Sequence, residues 1–387
     1  MKDFIKYYLY KMIAGVFSLL FSKRPLENKV VFMSFYGTKY DCNPRAISEK
    51  LHNLYPEIEQ IWILRKRNNE IPIYIKQVKY MSINMFKELF TAKVWVDNST
   101  KSLWTNKRKG QFFIETWHGG LGFKKFGSDA ISDYSSFDNK RDMHSCNMTN
   151  VILSDSKSMT EIYRSAWPYY KGKIYECGFP RTDLLYNNEL IEKEKIKVKQ
   201  DLGISINSEI LLYAPTFRED DDPKHFKLNY KEMAKKLSSY FNKKIVIVVK
   251  LHPWSVNLAN QICEYDEDVI NASQYSNMQG LIAAADYFVT DFSSCIFDYI
   301  ILRKPAFLYA DDFDEYINSE RGLYLDIKDL PFSISRSEDE LINNIIKHDN
   351  EEYKKNVELF LSKLGYADVP NSSEKVCYLI NKVLTRG

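Results

Sequence analysis

Two successive series of short apolar runs and amphipathic helical stretches, separated by a charged segment, predict an α/β protein of two Rossmann-type domains, each built on a parallel sheet. Three observations carry this. The apolar runs are bounded like buried strands and alternate with helical periodicity. They end in Ser, Asp, Asn, Gly or His, residue types that open α/β sheets place at ligands. And a chain of 387 residues is long for a single core, which favours two domains of ordinary size.

Residues 1–24, MKDFIKYYLYKMIAGVFSLLFSKR, come first and depart from this pattern. Lys2, Lys6, Lys11, Lys23 and Arg24 stand against the single acid Asp3. The apolar run 12–21 is shorter than the roughly 20 residues that a bilayer span needs. No small-residue cleavage site precedes Arg24-Pro25, so a secretory signal is not expected. A basic, aromatic-rich helix lying in the membrane interface, its lysines reaching anionic headgroups, is the reading; a helix packed on the protein's own core is the alternative.

The first domain is expected over residues 25–186, with strands at 30–35, 60–64, 93–96, 111–115, 150–153 and 174–177. Its central feature is FIETWHGGLGFKKFGSD, residues 113–129. An apolar strand there delivers Trp117 and His118 into a turn containing Gly119, Gly120, Leu121 and Gly122, followed by Lys124 and Lys125. Glycines permit close backbone approach and can aim N–H groups at an anion, while a histidine moves protons near neutral pH. The plain alternative is a glycine-rich turn with a satisfied histidine. Further on, Pro180 fixes a turn and Arg181 offers a planar fork to a phosphate.

Residues 187–208 read as an exposed charged helix linking the domains, ended by Gly203, and the second domain is expected over 209–387. A strand at 210–213 leads to Pro215, Thr216 and Arg218, with an acidic loop at 219–222. A helix over 230–241 precedes KIVIVVK, residues 244–250, whose end carries Lys250 and His252. A strand at 287–289 runs into TDFSS, placing Ser293 and Ser294 at a helix start. Free N–H groups, hydroxyls and the helix dipole make such a start a diphosphate site, although serine is also an ordinary N-cap. Asp298, one turn on, is positioned to accept from a ribose or polyol hydroxyl.

Composition limits the partners. Hydrophobic residues at 45% and charged residues at 27% describe an ordered globular chain. Lys+Arg 54 against Asp+Glu 51 leaves a net charge of +3, too even to argue for nucleic acid, and no nucleic-acid motif supports it. Six scattered cysteines without a CxxC pair fit reduced thiols in a cytoplasmic protein rather than disulfides or zinc.

The motifs SFYG, NPRAI, VWVDNS, ETWHG with KKFG, LSDS, GFPRTD, YAPTFR, KLHP, TDFSSCIFDY, LRKP and ERG run in order over nearly the whole chain. In these the sequence resembles the CDP-glycerol glycerophosphotransferases of teichoic acid and capsule synthesis. The resemblance implies a GT-B-like fold, two Rossmann-type domains facing a central cleft that holds the donor, with no cofactor and no obligatory metal, attached peripherally to the cytoplasmic face of the cell membrane. It also matches His118 and His252 to the family's two essential histidines. Gly119, Gly120, Leu121, Gly122, Arg181, Pro215, Thr216, Arg218, Lys250, Ser293, Ser294 and Asp298 fall in donor-binding motifs. The segment after His118-Gly119 is one residue longer than the family's common form.

The expected reaction is transfer of glycerol phosphate or a related polyol phosphate, from CDP-glycerol or CDP-ribitol, to a hydroxyl of a lipid-linked or polymer acceptor, releasing CMP. An acceptor oxygen attacking phosphorus needs a base, here His118, and positive or hydrogen-bonding groups around the diphosphate. A GT-B glycosyltransferase using a UDP-sugar is the alternative enzyme; a non-catalytic membrane-associated scaffold is the alternative of another class. The sequence leaves a homo-oligomer open.

Overall fold

The computed structural model describes residues 2–130, 135–218, 220, 222–312 and 322–385. Glu219 and Asp221 of the acidic loop, and Glu320 and Arg321 of the ERG stretch, lie outside the described residues. The chain divides into two compact units. One comprises residues 1–118, 125–183 and 366–387, the other residues 119–124 and 184–365.

In the first unit the strands are β1 (Glu27–Met33), β2 (Glu59–Leu64), β3 (Ile75–Lys79), β4 (Ala92–Asp97), β5 (Phe112–Glu115), β6 (Val151–Ser154) and β7 (Lys173–Glu176). They pair in parallel in the order β3-β2-β1-β4-β5-β6-β7. Val30, Phe32, Trp62, Val94 and Ile114 have no exposed surface, as expected for a sheet covered on both faces. Strand order reverses between β1 and β4. At such a switch point the connections leave on opposite faces of the sheet, opening a crevice at the strands' carboxyl ends. Ser34, Asn98 and His118 all stand at that end.

The second unit repeats the plan with β8 (Glu209–Tyr213), β9 (Ile245–Val249), β10 (Val269–Asn271), β11 (Tyr287–Thr290), β12 (Ala306–Tyr309) and β13 (Ser333–Ser335), in the order β10-β9-β8-β11-β12-β13. Its reversal lies between β8 and β11. The stretches 214–218 and 291–294 leave from those two strands, and His252 follows the neighbouring β9.

Two sequence expectations change. The final helix, Ser372–Thr385, belongs to the first unit rather than to a 209–387 domain. Val376, Cys377 and Ile380 are fully buried in the core that also holds Ile47 and Leu51, and Asp183 accepts from the N–H groups of Ser372 (2.8 Å) and Ser373 (2.7 Å) at the helix start. The expected linker helix, Asn188–Asp201, is instead part of the second unit: Val198 is fully buried and Lys195 pairs with Asp286 at 2.9 Å. Ile191 and Val198 supply its packed side, while Leu190 and Ile196 face outward.

The N-terminal helix, Lys2–Phe21, has two faces. Ala14 and Phe21 are buried, and Phe17 stacks on Phe86 with ring centroids 3.6 Å apart, so one face packs on the first unit as the core alternative expects. Ile5, Tyr8, Leu9, Met12, Val16, Leu19 and Leu20 form an exposed stripe at helical spacing on the other. Among the described residues no helix is long and apolar enough to cross a membrane. All six cysteines are unpaired.

Candidate active site

His118 follows the end of β5 by way of Thr116 and Trp117. Its Nδ1 lies 2.7 Å from the carbonyl oxygen of Asn98 at the end of β4. A carbonyl only accepts, so Nδ1 carries the proton, and in the neutral ring Nε2 is left as the acceptor. The residue is exposed, yet it sits in a recess, with the Trp117 ring at 4.6 Å and the Phe35 ring at 5.5 Å between centroids. Crowding by protein lowers its pKa below the ordinary histidine value, the bond to Asn98 opposes this, and the charge of Arg181 adds to the lowering. A neutral imidazole with a free Nε2 lone pair is the state a proton acceptor needs.

The turn that presents His118 is strained and braced. Phe35, Tyr36, Cys42 and Trp117 all have positive φ, between 46° and 64°, conformations that cost non-glycine residues of order 1–3 kcal/mol each. Asn43, fully buried, donates through Nδ2 to the carbonyls of Thr116 (3.1 Å) and Trp117 (2.9 Å) and accepts the N–H of Arg181 through Oδ1 (3.0 Å). One asparagine thus ties the His118 turn to the segment bearing Arg181. Beneath lies Glu115, whose Oε1 accepts from the N–H of Trp117 at 3.1 Å. Burial, with Asp97 on the neighbouring strand, pushes its carboxyl well above the usual range. Neither Asn43 nor Glu115 stood out in the sequence. The only signal was the NPRAI motif for the first and the end of an apolar run for the second.

Gly119 to Lys124 group with the second unit. Phe123 is buried with its ring 5.4 Å from that of Phe297, and its carbonyl accepts from the N–H of Tyr324 at 2.9 Å. Gly122 has φ +62°, a conformation glycine adopts freely, whereas Leu121 at +49° is strained. Leu121 has no exposed surface.

In the second unit Asp291 is the organiser. Its Oδ1 accepts from the N–H groups of Thr216 (2.8 Å) and Phe292 (2.6 Å), joining the loops after β8 and β11. Arg218 donates to Asp291 Oδ2 (2.9 Å), to both carboxylate oxygens of Asp312 (2.7 and 3.1 Å) and to the Thr216 carbonyl (3.0 Å). Burial works against its charge, but Asp291 and Asp312 outweigh it and raise its pKa. Arg218 is therefore a buried brace of these loops. Lys250 is likewise buried and gives its ammonium to the Ser273 carbonyl at 2.8 Å.

Other groups in this unit remain suited to a ligand. Thr216 Oγ1 is buried with no hydrogen-bond partner among the described residues. Ser293 and Ser294 are half-buried in a turn ahead of a helix of only four residues, Ile296–Tyr299, and neither side chain caps it. Ser293 Oγ instead lies 3.0 Å from Cys295 Sγ. Asp298 is buried and accepts from Gln279 Nε2 at 2.7 Å. Pro215 is buried beside Thr216. At the end of β9, His252 Nδ1 accepts the N–H of Trp254 at 3.3 Å, so its neutral ring carries the proton on Nε2. Phe217 and the 71% exposed Trp254 pack around it. Among the described residues no group of His, Cys, Asp and Glu side chains is arranged to hold a metal ion.

Comparison with known proteins now decides the family. The sequence model of CDP-glycerol:poly(glycerophosphate) glycerophosphotransferase matches residues 16–382. The chain belongs to that family. It is 30% identical over 364 residues to a teichoic acid poly(glycerol phosphate) polymerase of Bacillus spizizenii, covering 90% of this chain and 91% of that one. A teichoic acid glycerol-phosphate transferase of Staphylococcus aureus is 29% identical, with 98% and 100% covered. Against the polymerases of Staphylococcus epidermidis and Bacillus subtilis the chain spans about half their length. A solved structure of a histidine variant of the wall teichoic acid polymerase TagF superposes with a TM-score of 0.87 at 25% identity, covering 99% and 97%. The protein is thus an enzyme of the glycerophosphotransferase family with a GT-B-like fold.

Proposed function

We propose that the enzyme transfers glycerol phosphate, or a related polyol phosphate, from a CDP-activated donor to a hydroxyl of a lipid-linked or polymer acceptor in teichoic acid or capsule synthesis. The acceptor O–H gives its proton to His118 Nε2 as its oxygen attacks the phosphorus bearing the polyol. The bond from that phosphorus to the bridging oxygen breaks, and CMP leaves with the electron pair. The observation that carries this reading is the fixed His118 ring, its Nδ1 held by the Asn98 carbonyl. In the second unit the Nε2–H of His252, the hydroxyls of Thr216, Ser293 and Ser294, and backbone N–H groups would hold the diphosphate, with Arg181 supplying charge. Catalysis then rests on positioning and electrostatics, with no cofactor. Purified enzyme offered CDP-glycerol, CDP-ribitol and UDP-sugars with a lipid acceptor should release CMP from a CDP-polyol; release of UDP from a UDP-sugar, or turnover of no donor, defeats the reading.

The exposed stripe of the N-terminal helix supports a peripheral site of action on the cytoplasmic face of the membrane, with lysines against anionic lipid. Because Phe17 and Phe21 pack on the protein, truncation would strip the core as well. Replacing Met12 and Leu19 with glutamine leaves the packed face intact and should weaken binding to anionic liposomes about tenfold, given the apolar area lost. Equal liposome binding by this double variant would assign the membrane contact elsewhere.

A further inference from the structure

His118 is anchored to the main chain of Asn98, and every polar group of Asn98 is itself held. Its side chain is fully buried. Oδ1 accepts from the N–H of Phe35 (2.8 Å) and from Ser99 Oγ (3.2 Å), and Nδ2 donates to Ser34 Oγ (3.0 Å), which in turn donates to the Asp41 carbonyl (3.1 Å). The N–H of Asn98 donates to Asp97 Oδ1 at 2.7 Å, and the same oxygen accepts from the N–H of Ser99 at 3.1 Å. The other oxygen of Asp97 is ion-paired with Lys101. These bonds cross the switch point from β4 to the loop after β1, whose Phe35 ring flanks His118. A fully satisfied buried network of this kind gives one arrangement rather than several.

We propose that Asn98 is the positioning residue for His118: its clamped peptide holds Nδ1–H and so sets the tautomer that leaves Nε2 as proton acceptor. This rests on the reading of His118 as the base. A carbonyl facing Nδ1 admits only the tautomer with hydrogen there, because the other would set two lone pairs against each other. The clamp also fixes the direction in which the Nε2 lone pair points. The Oδ1 bond to Phe35 adds a second function, since it holds the strained turn whose ring packs against the imidazole. Arg181 is the charged group that acts on the ring itself, while the Cys42 thiol of the helix Cys42–Leu54 and the Asp97–Lys101 pair act on Asn98.

The test compares Asn98→Ala, Asn98→Asp, Ser34→Ala and His118→Ala, reading kcat, donor KM and the pH profile of transfer. In parallel, 15N-histidine NMR of wild type and Asn98→Ala reports the ring tautomer without turnover. Asn98→Ala should lower kcat about tenfold or more with donor KM within about twofold. Its acidic limb should move to lower pH, because a loosened bond to the carbonyl no longer favours the imidazolium. Asn98→Asp should move that limb to higher pH, because a carboxylate favours it. Ser34→Ala removes only the Nδ2 partner and should give the alanine effect in smaller measure, a safeguard should Asn98→Ala fail to fold. Wild-type His118 should show hydrogen on Nδ1, and Asn98→Ala a mixture. An Nε2–H tautomer in the wild type, or Asn98 and Ser34 variants with wild-type kcat and limb, overturns the proposal. If the acidic limb persists in His118→Ala, the base reading itself fails; if it disappears there while the Asn98 variants leave it in place, only the positioning role is lost.

Discussion

The two histidines at the strand ends present opposite edges. In the first unit His118 donates through Nδ1 to a carbonyl and keeps Nε2 as an acceptor. In the second, His252 accepts at Nδ1 from the N–H of Trp254 and keeps Nε2–H as a donor. In the proposed reaction the same residue type, on the same kind of doubly wound sheet, would serve opposite tasks: taking a proton from an acceptor hydroxyl, and giving a hydrogen bond to a phosphate oxygen. What differs is one backbone partner. The surrounding polar groups differ in the same sense, since those of the first unit brace a strained turn while those of the second lock loops together and leave hydroxyls and an exposed tryptophan open.

The largest expected effect tests whether Arg218 belongs to that locking system. Removing it leaves buried Asp291 and half-buried Asp312 without their shared arginine, and breaking a buried pair in this way costs about 3–5 kcal/mol. Arg218→Ala should lose that much stability in urea unfolding. Unchanged stability with lost donor affinity would return Arg218 to the set of phosphate ligands and erase the contrast between the units.

The histidines themselves come next. His118→Ala should slow transfer roughly a hundredfold or more, about 2.7 kcal/mol, while donor affinity stays nearly intact, because a base is needed only when the acceptor hydroxyl loses its proton. His252→Ala should weaken donor binding and turnover together. Calorimetric binding of a CDP-polyol, measured alongside single-turnover rates, separates the two. Identical binding losses in both variants would show that the opposite ring edges do not translate into different roles.

Much of this was legible in the sequence because it depends on local pattern. Apolar runs such as 244–250 gave the strands, and the Ser, Asp, Gly and His residues at their ends marked the switch-point loops in both units. What the pattern could not carry was the use of each charge. Arg218 and Lys250 look like phosphate ligands in one dimension; only packing shows that carboxylates and a carbonyl already hold them. The return of the helix Ser372–Thr385 to the first unit was hidden for the same reason, since its amphipathic face names no partner. Asn43 and Asn98 were invisible as braces, because a buried asparagine earns its role from contacts distant in sequence, such as Asn43 with Trp117 and Asn98 with Phe35.

The smallest effect expected is also the most specific to His118. Crowding in the recess and the nearby Arg181 charge both lower its pKa, against the opposing bond to Asn98. A base must be unprotonated, so turnover falls as pH drops through the lowered value, and the midpoint of the acidic limb should lie below the ordinary histidine value of about 6.5. Arg181→Gln removes one of the two lowering influences. The limb should then move upward, but only part of the way, because desolvation of the ring is the larger cause and remains. The profile is to be read as kcat at saturating donor, so that any loss of phosphate binding with the arginine does not enter. A wild-type midpoint at or above 6.5, or an Arg181→Gln limb that moves to lower pH, would show that another group controls the profile, and would leave His118 with a fixed ring but no part in the proton transfer.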